Sequence, residues 1–248
     1  MPDHLQSFQL DFLTPDLFQK IVKKAVVQGT RIPAAHGNYI NFHMGDMLLV
    51  IRTAFDPEKG LDYITGFDSH AKGCCVWDCV IDAVEERADG DVTAKTVLVE
   101  RGGAVLPLPL INGDILLDWG KGTSFQAQVA AYPTEISFFE EEKTARNEGG
   151  GDFRRIVAAG GDDVVIRGEA KGFRRGETSY MGGTLTRFLV ALVATEAGDI
   201  ELVFPDRLVT EGEEALLRPG VFLRAKGELA ANPAILGREK GVPKEEEA

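Results

Sequence analysis

The sequence predicts a mostly β chain of two β-barrel-like modules with an N-terminal amphipathic helix. Three observations carry that reading. Short apolar runs, several alternating with period two, recur between glycine and proline punctuation. One segment alone, residues 15–27, shows a capped helical stripe. A charge run closing in Gly149, Gly150 and Gly151 divides the strand-rich chain, because neither charges nor glycines bury apolar area. The division gives a β-rich module over 1–140, a linker over 141–151, a second barrel over 152–232 and a polar tail over 233–248.

In chain order, residues 8–12 are expected as a strand. The helix follows, with Thr14 as N-cap, Pro15 at the first helical position, Asp16 at the positive end of the dipole and Gly29 as the stop. Leu17, Phe18, Ile21, Val22, Ala25 and Val26 form its apolar stripe, while Lys20, Lys23 and Lys24 face outward. Strands are expected at 39–42, 47–53, 63–67, 75–84 and 93–100, separated by Gly45, Gly60 and Gly90. The run from Leu110 through Asp114, then Gly122 opening a strand to Ala130, is echoed in the second half by Val203 through Asp206, then Gly220 opening a strand to Leu229. That echo suggests tandem modules.

The second half is expected as a strand at 164–166, a basic turn at 171–176, a long strand at 185–195, a turn at Gly198-Asp199 and a strand at 200–204. A short helical segment at 206–217, the turn at Pro219-Gly220 and a strand at 221–229 complete it. Three strands, a helix and a returning strand resemble the oligonucleotide/oligosaccharide-binding (OB) fold, a five-stranded Greek-key barrel. The resemblance is to a fold and brings no enzyme family with it.

A formal net charge of −12 and a pI near 4.9 favour solubility and oppose non-specific attraction to nucleic acid or anionic membrane. No window approaches the ~18 to 20 uninterrupted apolar residues of a membrane span. With no signal-peptide pattern at the start, a cytoplasmic location and no membrane partner are expected. Cys74, Cys75 and Cys79 are an odd, clustered set, which gives no disulfide framework. Cys75, Trp77 and Cys79 share one face of a strand and read as buried structural residues.

Four constellations bear on chemistry. His36, His43, Asp46 and His70 are the candidates for a metal-assisted, hydrolase-like site, but their spacing lacks the two close ligand pairs of a structural zinc site. The neighbours Ser69 and His70 point to opposite faces of a strand and do not form a dyad. Asp78/Asp82 and Asp114/Asp118 read as solvated carboxylates. The fourth is a local charge reversal. From 153 to 190 seven bases outnumber four acids, giving +3 inside an acidic chain, with Phe173 and Tyr180 among them. Cationic grooves with stacking rings hold single strands on barrels of this type.

The functional expectation is therefore a non-catalytic binding or adaptor protein whose contact face is Arg167, Lys171, Phe173, Arg174, Arg175, Tyr180 and Arg187. Its partner would be single-stranded nucleic acid or an acidic protein, with no cofactor and no metal. The alternatives are a metal-assisted enzyme at His36, His43, Asp46 and His70, and a structural subunit of an assembly.

Overall fold

The computed structural model describes residues 4–34, 37–73, 75–86, 92–98, 105–111, 120–149 and 154–233. The chain is mostly β and forms two sheets. Residues 8–12 are not a strand: His4–Gln6 and Leu10–Phe12 are short 3-10 turns that drive Phe8 and Leu10 into the core. Helix α1 (Pro15–Gln28) starts where the caps require. Thr14 Oγ1 accepts the Leu17 amide at 3.4 Å, and the Gly29 amide closes the far end on Ala25 O.

Strands β1 (Thr30–Ala34), β2 (Gly37–Met44), β3 (Met47–Asp56) and β4 (Leu61–Ala71) form an antiparallel meander in that order. The second sheet takes β5 (Val76–Glu86), β6 (Val92–Leu98), β7 (Val105–Leu110) and β8 (Ser124–Phe139). After helix α2 (Glu142–Gly149) it takes β9 (Ile156–Gly160), β10 (Asp163–Tyr180), β11 (Gly183–Thr195), β12 (Gly198–Phe204) and β13 (Phe222–Pro233). The helical segment expected at 206–217 is two 3-10 turns, Asp206–Leu208 and Glu213–Leu216.

Two long strands organise this sheet. β8 and β13 run antiparallel from Phe139 opposite Phe222 to Ala127 opposite Pro233. Around them the ladders close two circuits. One passes β8, β5, β6, β7 and β13, the other β13, β10, β11, β12 and β8. The return contacts β12 with β8 and β13 with β7 are both parallel. The linker expected at 141–151 lies between strands of this one sheet. It carries α2, and the sheet runs through strands from both sides of it.

The apolar cores follow the sheets. One cluster joins Trp77, Cys79, Leu108 and Phe125 to Leu189, Val193, Leu202 and Leu229, so both halves of the sequence bury one another. The second lies between the four-stranded sheet and the outer face of the large one, with Ile21 and Ala25 of α1, Ile40, Leu49, Ile51, Tyr132, Phe188 and Val203. No helix among the described residues is long and apolar enough to cross a membrane.

Candidate functional site

The basic residues lie on β10 and β11, in a setting that differs from the expected turn. Residues 171–176 are the middle of the 18-residue strand β10, with a bulge between Ala170 and Gly172; the hairpin reverses at Met181 and Gly182 instead. Gly176 is present for packing. A Cβ there would sit 2.4 Å from the Phe188 ring, which covers the backbone. Lys171, Arg174 and Arg175 are exposed, as is Arg187 on β11, with Arg174 on the face of Val190 and Arg175 on the opposite face with Leu189; Arg167 is half-buried.

The two rings of the expected site point elsewhere. Phe173 belongs to the row Phe173, Ala191, Leu202, packs against the first core cluster and faces Phe138 at 6.2 Å between centroids. Tyr180 packs on the second cluster, donates to Lys20 O at 3.3 Å and carries Lys24 Nζ 4.9 Å above its ring. Neither ring lies beside the exposed cations on an open surface.

Apart from Glu169, which lies inside the counted segment, the acids that answer this basic strip are missing from the sequence reading. Lys171 Nζ lies 2.7 Å from Asp199, Arg174 3.4 Å from Glu201 and Arg175 3.9 Å from Asp206, while Arg154 and Arg155 meet Glu169 and Glu196. The partners of the first three lie on β12 or just beyond it, across β11, a span that long basic side chains cover. Carrying the charge count on to residue 206 would have found them, since it adds four acids and no base and turns +3 into −1. Glu201 is the exception among the acids in being almost fully buried; a Cβ on Gly73 would lie 2.3 Å from its carboxylate.

The metal-enzyme candidates are not gathered. His36 lies outside the described residues, as do Cys74, Asp114 and Asp118. His43 is exposed and separated from buried His70 by Leu48 in the same row, which places them two strands, or roughly 10 Å, apart. Asp46 serves the fold: its carboxylate accepts the Glu177 amide at 3.1 Å and its amide donates to Glu177 O at 2.9 Å, clamping one sheet to the other. Gly45 is obligatory beside it, because at φ +66° a Cβ would lie 2.5 Å from Glu177 O. No group of three His, Cys, Asp or Glu side chains among the described residues is placed to hold a metal. Asp78 accepts from Gln126 and Asp82 pairs with Lys121. Cys75, Trp77 and Cys79 are buried on one face, as their alternation predicts, with Trp77 Nε1 donating to Asp199 O at 2.9 Å.

A buried polar cluster that sequence reasoning missed lies where the N-terminal turn meets both sheets. His4 is 4% exposed and stacks on Tyr132, with Nδ1 3.3 Å from Asp68 and Nε2 3.6 Å from Glu228. Neither nitrogen is aligned for a hydrogen bond, so the contacts act as ion pairs. Burial works against protonation of His4, but the two carboxylates outweigh it and raise its pKa to about 9. Tyr132 Oη accepts the Ala71 amide at 2.9 Å and shares a hydrogen bond with His70 Nδ1 at 3.0 Å. Burial, reinforced by the charge on His4, pushes His70 down to about 3, and burial holds the Tyr132 phenol well above its usual range.

Beside this cluster is a cleft of about 420 Å³ lined by His4, Ser7, Tyr132, Asp163, Arg207 and Glu228. Only the position of His4 in the fold reveals its role. In the sequence it is a lone histidine among polar residues, and nothing local marks it as buried. Ser69 is fully buried on the face opposite His70, so the two do not form a nucleophile and base. Neither a family model, nor a curated protein, nor a solved structure matches the chain.

Proposed function

We propose that the chain is a non-catalytic binding or adaptor protein that contacts an acidic protein segment through the exposed basic side chains of β10. The scaffold suits that role. Each circuit runs through three successive antiparallel strands and a connection to a long returning strand, an order that resembles an OB-like Greek key, with β8 and β13 shared by both circuits. One observation carries the reading: Lys171, Arg174 and Arg175 are 40 to 64% exposed, and Lys171 and Arg175 hold their acids at the surface, while Arg174 lies 3.4 Å from buried Glu201.

Exposed ion pairs are worth about 0 to 1 kcal/mol, so incoming carboxylates can exchange with Asp199 and Asp206 at little cost. The inward turn of Phe173 and Tyr180 removes the stacking platform that single-stranded nucleic acid uses, and this favours an acidic polypeptide. The test is binding of a labelled polyglutamate peptide and of mixed-sequence single-stranded DNA at low ionic strength. Peptide binding that weakens with salt and is lost in Arg174→Glu/Arg175→Glu supports the proposal. DNA binding of equal or greater strength replaces it with the nucleic-acid reading, and binding of neither probe refutes it.

A further inference from the structure

The four-stranded sheet ends at β4, and the two halves of that strand differ. Residues 68–71 are buried, close to the N-terminal turn, whereas residues 61–65 are exposed throughout. The bare half is apolar. Leu61 is 65% exposed, Tyr63 53% and Ile64 39%, and Phe55, opposite Asp62 on β3, is 58% exposed. An open strand edge carrying a cluster of large apolar side chains is a contact surface or an aggregation hazard.

The one charged side chain within residues 61–65, Asp62, is already neutralised within the chain. Arg31 of β1 meets Asp62 at 3.0 Å, and Lys59 meets Asp56 at 3.0 Å. Two copies of a chain with net charge −12 repel one another over most of their surface, so a self-contact is favoured where the local charge is cancelled. From this edge we infer that the chain forms a two-fold homodimer in which residues 61–65 of two copies pair antiparallel about Tyr63.

Electrostatics and the bulge at Thr65 together select that register. A two-fold axis normal to the sheet must pass through a residue, so that side chains on the same face meet across the seam. Centred on Asp62, it would set the two Asp62 carboxylates directly opposite each other, which is destabilising. Centred on Tyr63, it sets Tyr63 against Tyr63, Asp62 against Ile64 and Leu61 against Thr65. No like charges then meet, and the aromatic pair lies at the centre. The bulge at Thr65, where β4 slips by one residue against β3, ends the flat stretch and confines the pairing to these residues. The dimer leaves the β10 strip untouched and does not depend on the function proposed for it.

Sedimentation equilibrium across protein concentration should give a dimer mass for the wild type. Tyr63→Asp should give a monomer with unchanged circular dichroism and melting temperature, since this side chain contributes to no core. Residues opposite one another across the axis fall within disulfide reach. Tyr63→Cys should therefore cross-link to itself on mild oxidation, while Leu61→Cys, which faces Thr65 of the second copy, should not. A wild type that stays monomeric, a Tyr63→Asp variant that stays dimeric, or a Leu61→Cys variant that cross-links as readily as Tyr63→Cys each overturns the proposal.

Discussion

The ring of His4 lies flat on the ring of Tyr132, with centroids 4.0 Å apart and planes at 16°. Through that contact the N-terminal turn reaches Asp68 of the small sheet and Glu228 of the large one. Phe8, four residues on, is fully buried and meets Phe188 edge to face at 4.9 Å, and its carbonyl accepts the Thr186 hydroxyl at 2.7 Å. The turn is a wedge that joins the two sheets by charge at one end and by packing at the other.

The wedge predicts a pH profile for stability. His4 binds its proton more tightly folded than unfolded, so its contribution is complete below the ordinary value of 6.5 and is lost as pH rises through about 9. At ~1.4 kcal/mol per pKa unit the loss is on the order of ~3 kcal/mol. His70 has the opposite sign. It stays neutral in the fold down to about 3, so stability falls as pH drops below 6.5, where the unfolded chain takes up a proton that the folded chain refuses. Together the two place a maximum near pH 6.5. Thermal unfolding followed from acid to alkaline pH should show it. His4→Gln should flatten the limb between 6.5 and 9 while leaving an acid limb, and an unchanged alkaline limb in that variant would show that His4 does not carry the charge.

A second prediction concerns the seam between β8 and β13. Pro133 and Gly227 face each other there at a register shift, and a Cβ on Gly227 would lie 2.3 Å from Tyr132 O and 2.5 Å from Pro133 Cα. Both atoms are backbone and have little room to yield, so Gly227→Ala should cost ~3 kcal/mol or more, the upper end for overpacking. Gly60→Ala gives a comparison, because a Cβ there meets nothing within 4 Å and only its left-handed φ of +65° opposes the change. Denaturant midpoints that are equal for the two variants would mean the seam opens without cost.

What the sequence made legible was local. The α1 caps, the shared face of Ile200, Leu202 and Phe204, and the burial of Cys75, Trp77 and Cys79 each depend on near neighbours and are found in the structure. The echo between the two halves also corresponds to a structural relation, since the two returning strands it aligned, β8 and β13, are the pair on which both circuits close. The errors arose where distant chain decides. Gly172 and Gly176 among arginines looked like a turn, but the Phe188 ring that requires Gly176 belongs to the next strand. Pro133 concealed the second half of β8, because a proline normally ends a ladder unless it sits at a bulge, as it does here beside Thr134. The acids that answer the basic strip sit one strand further on, and His4 finds Asp68 and Glu228 only through the tertiary fold.

Cys79 offers a probe of whether the two halves form one cooperative unit. It is 1% exposed, and burial, with a smaller effect from the charge on Asp78, pushes its thiol up to about 12. The thiolate is the reactive form, so at neutral pH the folded protein holds almost none of it and the reagent cannot reach what there is. In a variant with Cys74 and Cys75 replaced by Ala, labelling of Cys79 must therefore wait for an opening of the cluster it belongs to. That cluster contains Leu189, Val193 and Leu229 from the second half of the chain as well as Phe125 from the first. If the halves unfold together, the free energy of opening measured by Cys79 labelling equals that of global unfolding, and both fall in parallel with denaturant. Labelling that proceeds at a much lower opening energy, while the β-sheet circular dichroism is still intact, would mean that the strands before α2 open independently of those after it.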